Sequence, residues 1–293
     1  VTDAPATPPR PTRLIATDLD GTLLHDDKTV SGRTIAALAA AEKAGIEVFF
    51  VTGRPARWMD VVSDHVHGHG LAICANGAAV VDLHRENRIV EVSPLDHTVA
   101  LDVVHALREA APGTTFAVER TSGIHYEPQY PPFLLDPAAV IAPAEKLLAE
   151  GFAAPSRPGP TNGVGSACDH PVLKLLAHHP ELDPDAFLTL ARATSGHLAS
   201  FTRSSPTALL EISGLGVSKA GTLARCCAER GISPDEVVAF GDMPNDIEML
   251  TWAGASYAMA NAHPDVLAAT TGRTASNNDD GVAAVIELIL RQR

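Results

Sequence analysis

Apolar positions along the chain follow two rhythms. Short, mostly apolar runs predict strands at Leu14 to Thr17, Ile46 to Val51 (apolar but for Glu47), Leu71 to Cys74, Ala78 to Val81 and Val237 to Phe240. Ile46 to Val51 and Val237 to Phe240 carry no alternation, the mark of a strand buried on both faces. Between the runs, apolar residues recur at helical spacing. Thr34 to Ala44 predicts a helix with Ile35, Leu38 and Ala41 inward and Gly45 as its stop. Pro55 suits the first turn of a helix after the second strand. Ser218 to Arg230 predicts a helix ended by Gly231, Asn245 to Trp252 predicts another, and Tyr257 to Met259 is extended. Val282, Val285, Ile286 and Ile289 give Gly281 to Leu290 one apolar face. Strand and helix in alternation predict a parallel sheet covered by helices on both faces.

The middle of the chain breaks this rhythm. Thr98 to Ala110 and Asp185 to Ala193 look helical, and Ile89 to Val92, Phe116 to Val118, Val172 to Ala177 and Leu209 to Ile212 look extended. Pro and Gly are dense at Pro128 to Pro137 and Pro155 to Gly165. The expected fold class is therefore α/β. A doubly wound, Rossmann-like core from residues 13–83 and 214–293 would carry an inserted α+β domain at 84–213. Insertion into a surface loop costs little chain entropy. Residues 1–12, rich in Pro, Thr and Ala, read as a disordered tail without the apolar segment of a leader.

Composition narrows the function classes. The 293 residues are 45% hydrophobic and 19% charged, enough for a substantial core. A net charge of −13 argues against a nucleic-acid partner. No apolar run approaches the roughly 20 residues that span a bilayer, so no membrane partner is expected. Cys74, Cys168, Cys226 and Cys227 form neither a disulfide framework nor a zinc spacing, and read as reduced thiols of a cytoplasmic protein. His65-Val66-His67 and His178-His179 lack a third metal ligand at suitable spacing and read as surface.

The chemistry sits where the strands end. Asp18 and Asp20 follow the first strand, one residue apart in Asp18-Leu19-Asp20-Gly21-Thr22. That spacing sends both carboxylates to one side of an extended backbone. Thr52 follows the second strand, and Asp242 a later one. Lys219 opens a helix after Gly216-Val217-Ser218, where a cation loses about 0.3–1 kcal/mol to the helix dipole. Dipole and ammonium together make an anion site. Carboxylates charged this way at a core edge suit Mg²⁺, with Asp18, the Asp20 backbone carbonyl and Asp242 as ligands. Asp18 could then attack phosphorus, and Asp20 could protonate the leaving alcohol and later activate water. The Thr52 hydroxyl and Gly53 amide could bind the phosphoryl oxygens.

Four segments, Asp18-Leu19-Asp20-Gly21-Thr22, Val51-Thr52-Gly53-Arg54, Gly216-Val217-Ser218-Lys219 and Gly241-Asp242-Met243-Pro244-Asn245-Asp246, resemble the motifs of the haloacid dehalogenase-like hydrolases. Their order and the long insertion resemble the Cof-type branch, as do Asn76-Gly77-Ala78 and Leu210-Glu211-Ile212 on either side of it. The resemblance spans Arg13 to Leu290. It implies Asp18 as nucleophile, Asp20 as acid and base, and Mg²⁺ as cofactor. It also implies Leu19, Thr52, Gly53, Lys219 and Asn245 on the substrate phosphate, Asp242 on the metal, and Asp246 in support. Arg54 could touch substrate or solvate a helix start, and Asn76 could meet substrate or only shape a turn. In the insertion, an inward Lys174 would be a specificity residue, although strand alternation favours an outward one, and His125, Tyr126, Arg203 and Glu211 are weaker candidates.

The expected function is a Mg²⁺-dependent phosphomonoesterase acting on a small phosphorylated metabolite, first of all a sugar phosphate. The insertion would act as a cap that closes over the site, in a monomer or homodimer. A phosphosugar mutase or phosphotransferase would share the first half-reaction. A phospho-accepting receiver module would share the Asp, Lys and Mg²⁺, but such modules run near 120 residues and lack Asp20 and the insertion.

Overall fold

The computed structural model describes residues 11–65, 70–131, 136–152, 170–203 and 209–293. In chain order the regular elements are β1 (Leu14–Thr17), α1 (Gly32–Lys43), β2 (Glu47–Val51), α2 (Asp60–Ser63), β3 (Leu71–Cys74), β4 (Ala79–Asp82) and β5 (Arg88–Val92). There follow α3 (His97–Ala110), β6 (Thr115–Arg120), β7 (Gly123–Tyr126), α4 (Ala144–Leu147), β8 (Val172–His178), α5 (Pro184–Ser195), β9 (Ala199–Thr202) and β10 (Leu209–Gly214). The chain closes with α6 (Lys219–Glu229), β11 (Val237–Gly241), α7 (Ile247–Trp252), β12 (Ala255–Ala258), α8 (Pro264–Ala269), β13 (Gly272–Arg273) and α9 (Gly281–Arg291). These form two compact units, one from residues up to Arg88 together with Lys219–Arg293, the other Ile89–Ser218.

In the first unit the strands run in the order β13-β12-β11-β1-β2-β3-β4. From β13 to β3 every neighbouring pair is parallel. β1 and the last four residues of β2 are fully buried, as their unbroken apolar runs require. Helix α1 packs on α9 and against β2, while α6, α7 and α8 pack on one another and against β3, β11 and β12. Ser31 caps α1 by accepting from Thr34 N, so that helix starts earlier than the apolar spacing suggests. Its buried face is Thr34, Ala37, Leu38 and Ala41, with Ile35 only half-buried.

One strand departs from the parallel expectation. β4 pairs antiparallel with β3, from Leu71 opposite Asp82 to Cys74 opposite Ala79. The connection is a tight turn in which Ala75, Asn76 and Gly77 all have positive φ (51°, 56° and 106°). A turn that short can only reverse the chain, since a parallel connection needs a crossover. Thr12, expected in the N-terminal tail, is buried; most of that tail lies outside the described residues, as do Cys168 and His67. Cys74, Cys226 and Cys227 are buried, and among the described residues none of them forms a disulfide.

The second unit is an antiparallel sheet of order β7-β6-β8-β10-β9. Phe116, Val118, Leu175, Ala177, Leu210 and Ile212 belong to its core, together with Val103, Leu107 and Phe187 from α3 and α5. The outward orientation expected for Lys174 is wrong. Lys174 is buried and its ammonium pairs with the buried carboxylate of Glu211. Val172, Leu173, Lys174 and Leu175 are all buried, so β8 is covered on both sides and alternation carries no inside or outside. His179 is likewise no surface residue: it is buried, and its Nδ1 accepts from Glu181 N and Leu182 N. His125 accepts from Val140 N, Tyr126 stacks on Tyr130, and Arg203 pairs with Asp185 at 2.8 Å.

Candidate active site

Strand β1 has β2 on one side and β11 on the other, so the chain order reverses between β1 and β11. Open parallel sheets bind ligands beyond the strand ends at such a switch point. Asp18 leaves the end of β1 and Asp242 the end of β11, with Asp18 N donating to Phe240 O at 3.1 Å. Asp18, Asp242 and Asp246 bring carboxylate oxygens within 4.8 Å of one another, and all three are buried.

Lys219, the first residue of α6, enters this group and is itself buried. Its Nζ lies 2.6 Å from Asp18 Oδ1 and 2.7 Å from Asp246 Oδ1. Asp246 Oδ2 accepts from the backbone amides of Asp242 and Met243, both at 3.1 Å. Asp246 therefore spends both oxygens inside the protein, tying the loop after β11 to Lys219. Thr22 Oγ1 donates to Asp242 Oδ1 at 3.0 Å. Gly21 makes that approach possible: its φ is +77°, and a Cβ there would lie 2.3 Å from Asp242 Oδ2.

Charge does not balance within the cluster. Three buried carboxylates face one buried ammonium. Burial pushes the Asp18 carboxyl well above the usual carboxylate range, with Asp246 and Asp242 adding to it and Lys219 opposing. Burial, then Asp246, pushes Asp242 up to about 7. Burial also works against the Lys219 ammonium, but Asp18 and Asp246 outweigh it and hold its pKa above the ordinary range. Hard oxygen donors in negative excess suit a divalent cation, which would supply the missing positive charge.

Asp20 points to different partners. Arg54 grips it with both ends of its guanidinium, Nε to Oδ2 at 2.6 Å and Nη2 to Oδ1 at 2.7 Å. Lys28 Nζ lies 2.9 Å from Asp20 Oδ1. Burial opposes the charged carboxylate, but Arg54 and Lys28 outweigh it and hold Asp20 below the usual range. Arg54 is thus engaged with Asp20 rather than idle at a helix start. Thr52, buried at the end of β2, accepts from Arg54 N through Oγ1 at 3.1 Å, and Gly53 between them is half-buried. Asn76 N donates to Thr52 O at 3.0 Å, and Asn245 Nδ2 donates to Asn76 Oδ1 at 3.2 Å. Leu19 is fully buried, its carbonyl accepting from Leu24 N at 2.9 Å.

Thr22 and Lys28 were not singled out by sequence reasoning. Thr22 lies inside the segment that bears Asp18 and Asp20, but nothing in that segment points to its partner, Asp242. Lys28 stands in an exposed polar loop among Asp26, Asp27 and Thr29, with no local signal of its aim.

Comparison with known proteins gives the chain a family. A family model for haloacid dehalogenase-like hydrolases matches residues 15–286. The chain is 30% identical to the pyridoxal phosphate phosphatase YbhA of Escherichia coli, over 94% of this chain and 97% of that one. It is 28% identical to the 5-amino-6-(5-phospho-D-ribitylamino)uracil phosphatase YcsE of Bacillus subtilis, over 94% of each. A solved haloacid dehalogenase-like hydrolase from B. subtilis superposes with a TM-score of 0.73 at 27% identity, covering 94% of this chain and 99% of that one. Matched over residues 15–286, with Lys219 held against the carboxylates of Asp18 and Asp246, the chain belongs to the haloacid dehalogenase-like hydrolases.

Proposed function

We propose that the protein is a Mg²⁺-dependent phosphatase that hydrolyses a small phosphorylated metabolite through an aspartyl-phosphate on Asp18. The observation that carries the reading is the buried contact of Lys219 with Asp18 and Asp246, beside Asp242. A carboxylate nucleophile and a phosphate dianion repel, and reaction needs positive charge fixed where they meet. Lys219 supplies one such charge from a helix start. Asp18, Asp242 and the backbone carbonyl of Asp20 would hold the cation, which supplies Lewis-acid stabilisation of phosphoryl oxygens when bound. Asp246 orients Lys219 and the loop that bears Asp242.

In the first step an Asp18 oxygen attacks phosphorus and the ester P–O bond breaks. The leaving oxygen takes a proton from the Asp20 carboxyl, so the reacting form is the one in which Asp20 is protonated against the pull of Arg54 and Lys28. In the second step the Asp20 carboxylate takes a proton from water. The oxygen of that water attacks phosphorus, the P–O bond to Asp18 breaks, and inorganic phosphate departs. Asp18 and Asp20 end as they began. Thr52, the Gly53 amide and the Leu19 backbone are suited to the phosphoryl oxygens. The Asn76–Asn245 pair joins two loops at the strand ends and would border the same group.

The two curated relatives carry names that set their phosphates on a pyridoxal and on a ribitylamino-uracil. Small phosphorylated metabolites are thus the expected class for this chain, with sugar phosphates the leading candidates and residues 84–213 choosing among them. A panel of such compounds with Mg²⁺ tests this. Release of inorganic phosphate from at least one is expected. Conversion to a phosphorylated isomer without phosphate release would favour the mutase, and no reaction with any member would overturn the reading.

A further inference from the structure

Around the site lies a set of residues outside the four segments. The chain from Gly21 to Thr29, which follows Asp20, is held from the C-terminal end of the sequence. Asn277 Nδ2 donates to Leu24 O at 2.9 Å and to Asp26 Oδ1 at 3.0 Å. Asn277 is buried, and its two amide protons are both used. Asn278 exchanges two further bonds with Asp26, Nδ2 to Oδ2 at 2.8 Å and Asp26 N to Asn278 Oδ1 at 3.0 Å. Asn261 Nδ2 donates to Gly21 O at 2.8 Å, and Asn261 Oδ1 accepts from Asn277 N at 3.1 Å. His25 Nε2 lies 3.0 Å from Asp280 Oδ1, which also accepts from Thr34 Oγ1 at 3.2 Å. The loop is pinned along its length.

What it delivers is Lys28. A turn closed by Lys28 N donating to His25 O at 2.9 Å gives Lys28 a φ of +67°. A non-glycine residue there is held by its surroundings. The Lys28 side chain is 57% exposed, so its aim at Asp20 depends on where the backbone is fixed. Lys28 and Arg54 then bear on Asp20 from two sides.

We infer that Asn277, assisted by Asn278 and Asn261, is a positioning residue for Asp20. It fixes the loop of residues 21–28 so that Lys28 and Arg54 hold the Asp20 carboxylate where it exchanges protons. The inference rests on the acid and base role proposed for Asp20. Its consequence depends on the leaving group. p-Nitrophenolate leaves without protonation, so formation of the aspartyl-phosphate from p-nitrophenyl phosphate needs little from Asp20. Attack of water on the intermediate needs it fully. Loosening the loop therefore slows the second step and spares the first.

The test is rapid-quench kinetics with p-nitrophenyl phosphate at saturating Mg²⁺, on Asn277→Ala and Asp26→Ala. Asp26 is exposed, so its replacement cuts the same link without emptying a buried site, and thermal melts of both variants verify folding. The expected result is an unchanged first-turnover rate with a steady-state rate about tenfold to a hundredfold lower, the range seen when a supporting partner is lost. Wild-type steady-state rates in both folded variants, or equal losses in both phases, would overturn the inference. Asp20→Asn is run beside them. If it too lacks the split between phases, the reading of Asp20 fails; if it shows the split and the loop variants do not, only the positioning claim fails.

Discussion

Replacing Lys219 with Met tests the electrostatics of the site apart from catalysis. Met keeps the length and helix propensity of the side chain but removes the ammonium. Lys219 makes two contacts with buried carboxylates, at 2.6 and 2.7 Å. Taking one partner from a buried ion pair costs about 3–5 kcal/mol, because charge is left without compensation. At roughly 2–4 °C per kcal/mol, unfolding of the metal-free variant should fall by about 10 °C near pH 8. The loss should fade on acidification. Asp18 and Asp242 have folded pKa values above the ordinary 3.8, Asp242 at about 7, so their ionisation opposes folding. A carboxylate of that kind costs stability in full above its folded pKa, and the cost shrinks as pH falls from there toward the unfolded value of 3.8. The variant should therefore recover most of the deficit near about pH 5. Thermal melts in EDTA at both pH values are the assay. A negligible shift near pH 8, or an equal loss at both, would refute the account of Lys219 as counter-charge.

Other consequences can be checked separately. EDTA should abolish turnover and Mg²⁺ restore it; activity that survives chelation would contradict the proposed donor set. Mg²⁺ should raise the melting temperature of the wild type more near about pH 8 than near about pH 5, because ionised Asp242 is the form that binds. Gly21→Ala places a methyl 2.3 Å from Asp242 Oδ2 at a φ of +77°, so Mg²⁺ affinity measured by titration should fall along with stability. Arg54→Lys keeps the charge but not the two-pronged grip on Asp20, and should lower the first-turnover rate with alkyl phosphates more than with p-nitrophenyl phosphate. Equal effects on the two substrates would argue against Asp20 as the proton donor.

Much of the core was legible because its signals are local. An apolar run that gives way within a residue or two to a polar or charged side chain marks a buried strand end, and Asp18, Thr52 and Asp242 all stand at such places. Lys219 stood out because a cation at a helix start goes against the dipole. The antiparallel β4 was written in Asn76-Gly77, a hairpin signal masked by the regular alternation around it. Lys174 misled because two-residue alternation orients a side chain only when one face of the strand meets water, and from Val172 to Leu175 both faces of β8 are buried. β7, β9, α8 and β13 are short or polar elements whose partners, not their own patterns, define them. Arg54 on Asp20, Lys28 on Asp20 and Asn277 on the loop join residues 34, 8 and more than 200 positions apart, and no local pattern encodes such pairings.

The central claim is that the carboxylate of Asp18 carries the phosphoryl group. Acid-quenching the wild-type enzyme during turnover of a ³²P-labelled phosphomonoester, followed by peptide mapping, addresses it directly. The account predicts label on the peptide containing Asp18, released as inorganic phosphate on longer incubation, with neither label nor turnover in Asp18→Asn. Label on another residue, or full turnover by Asp18→Asn, would contradict it.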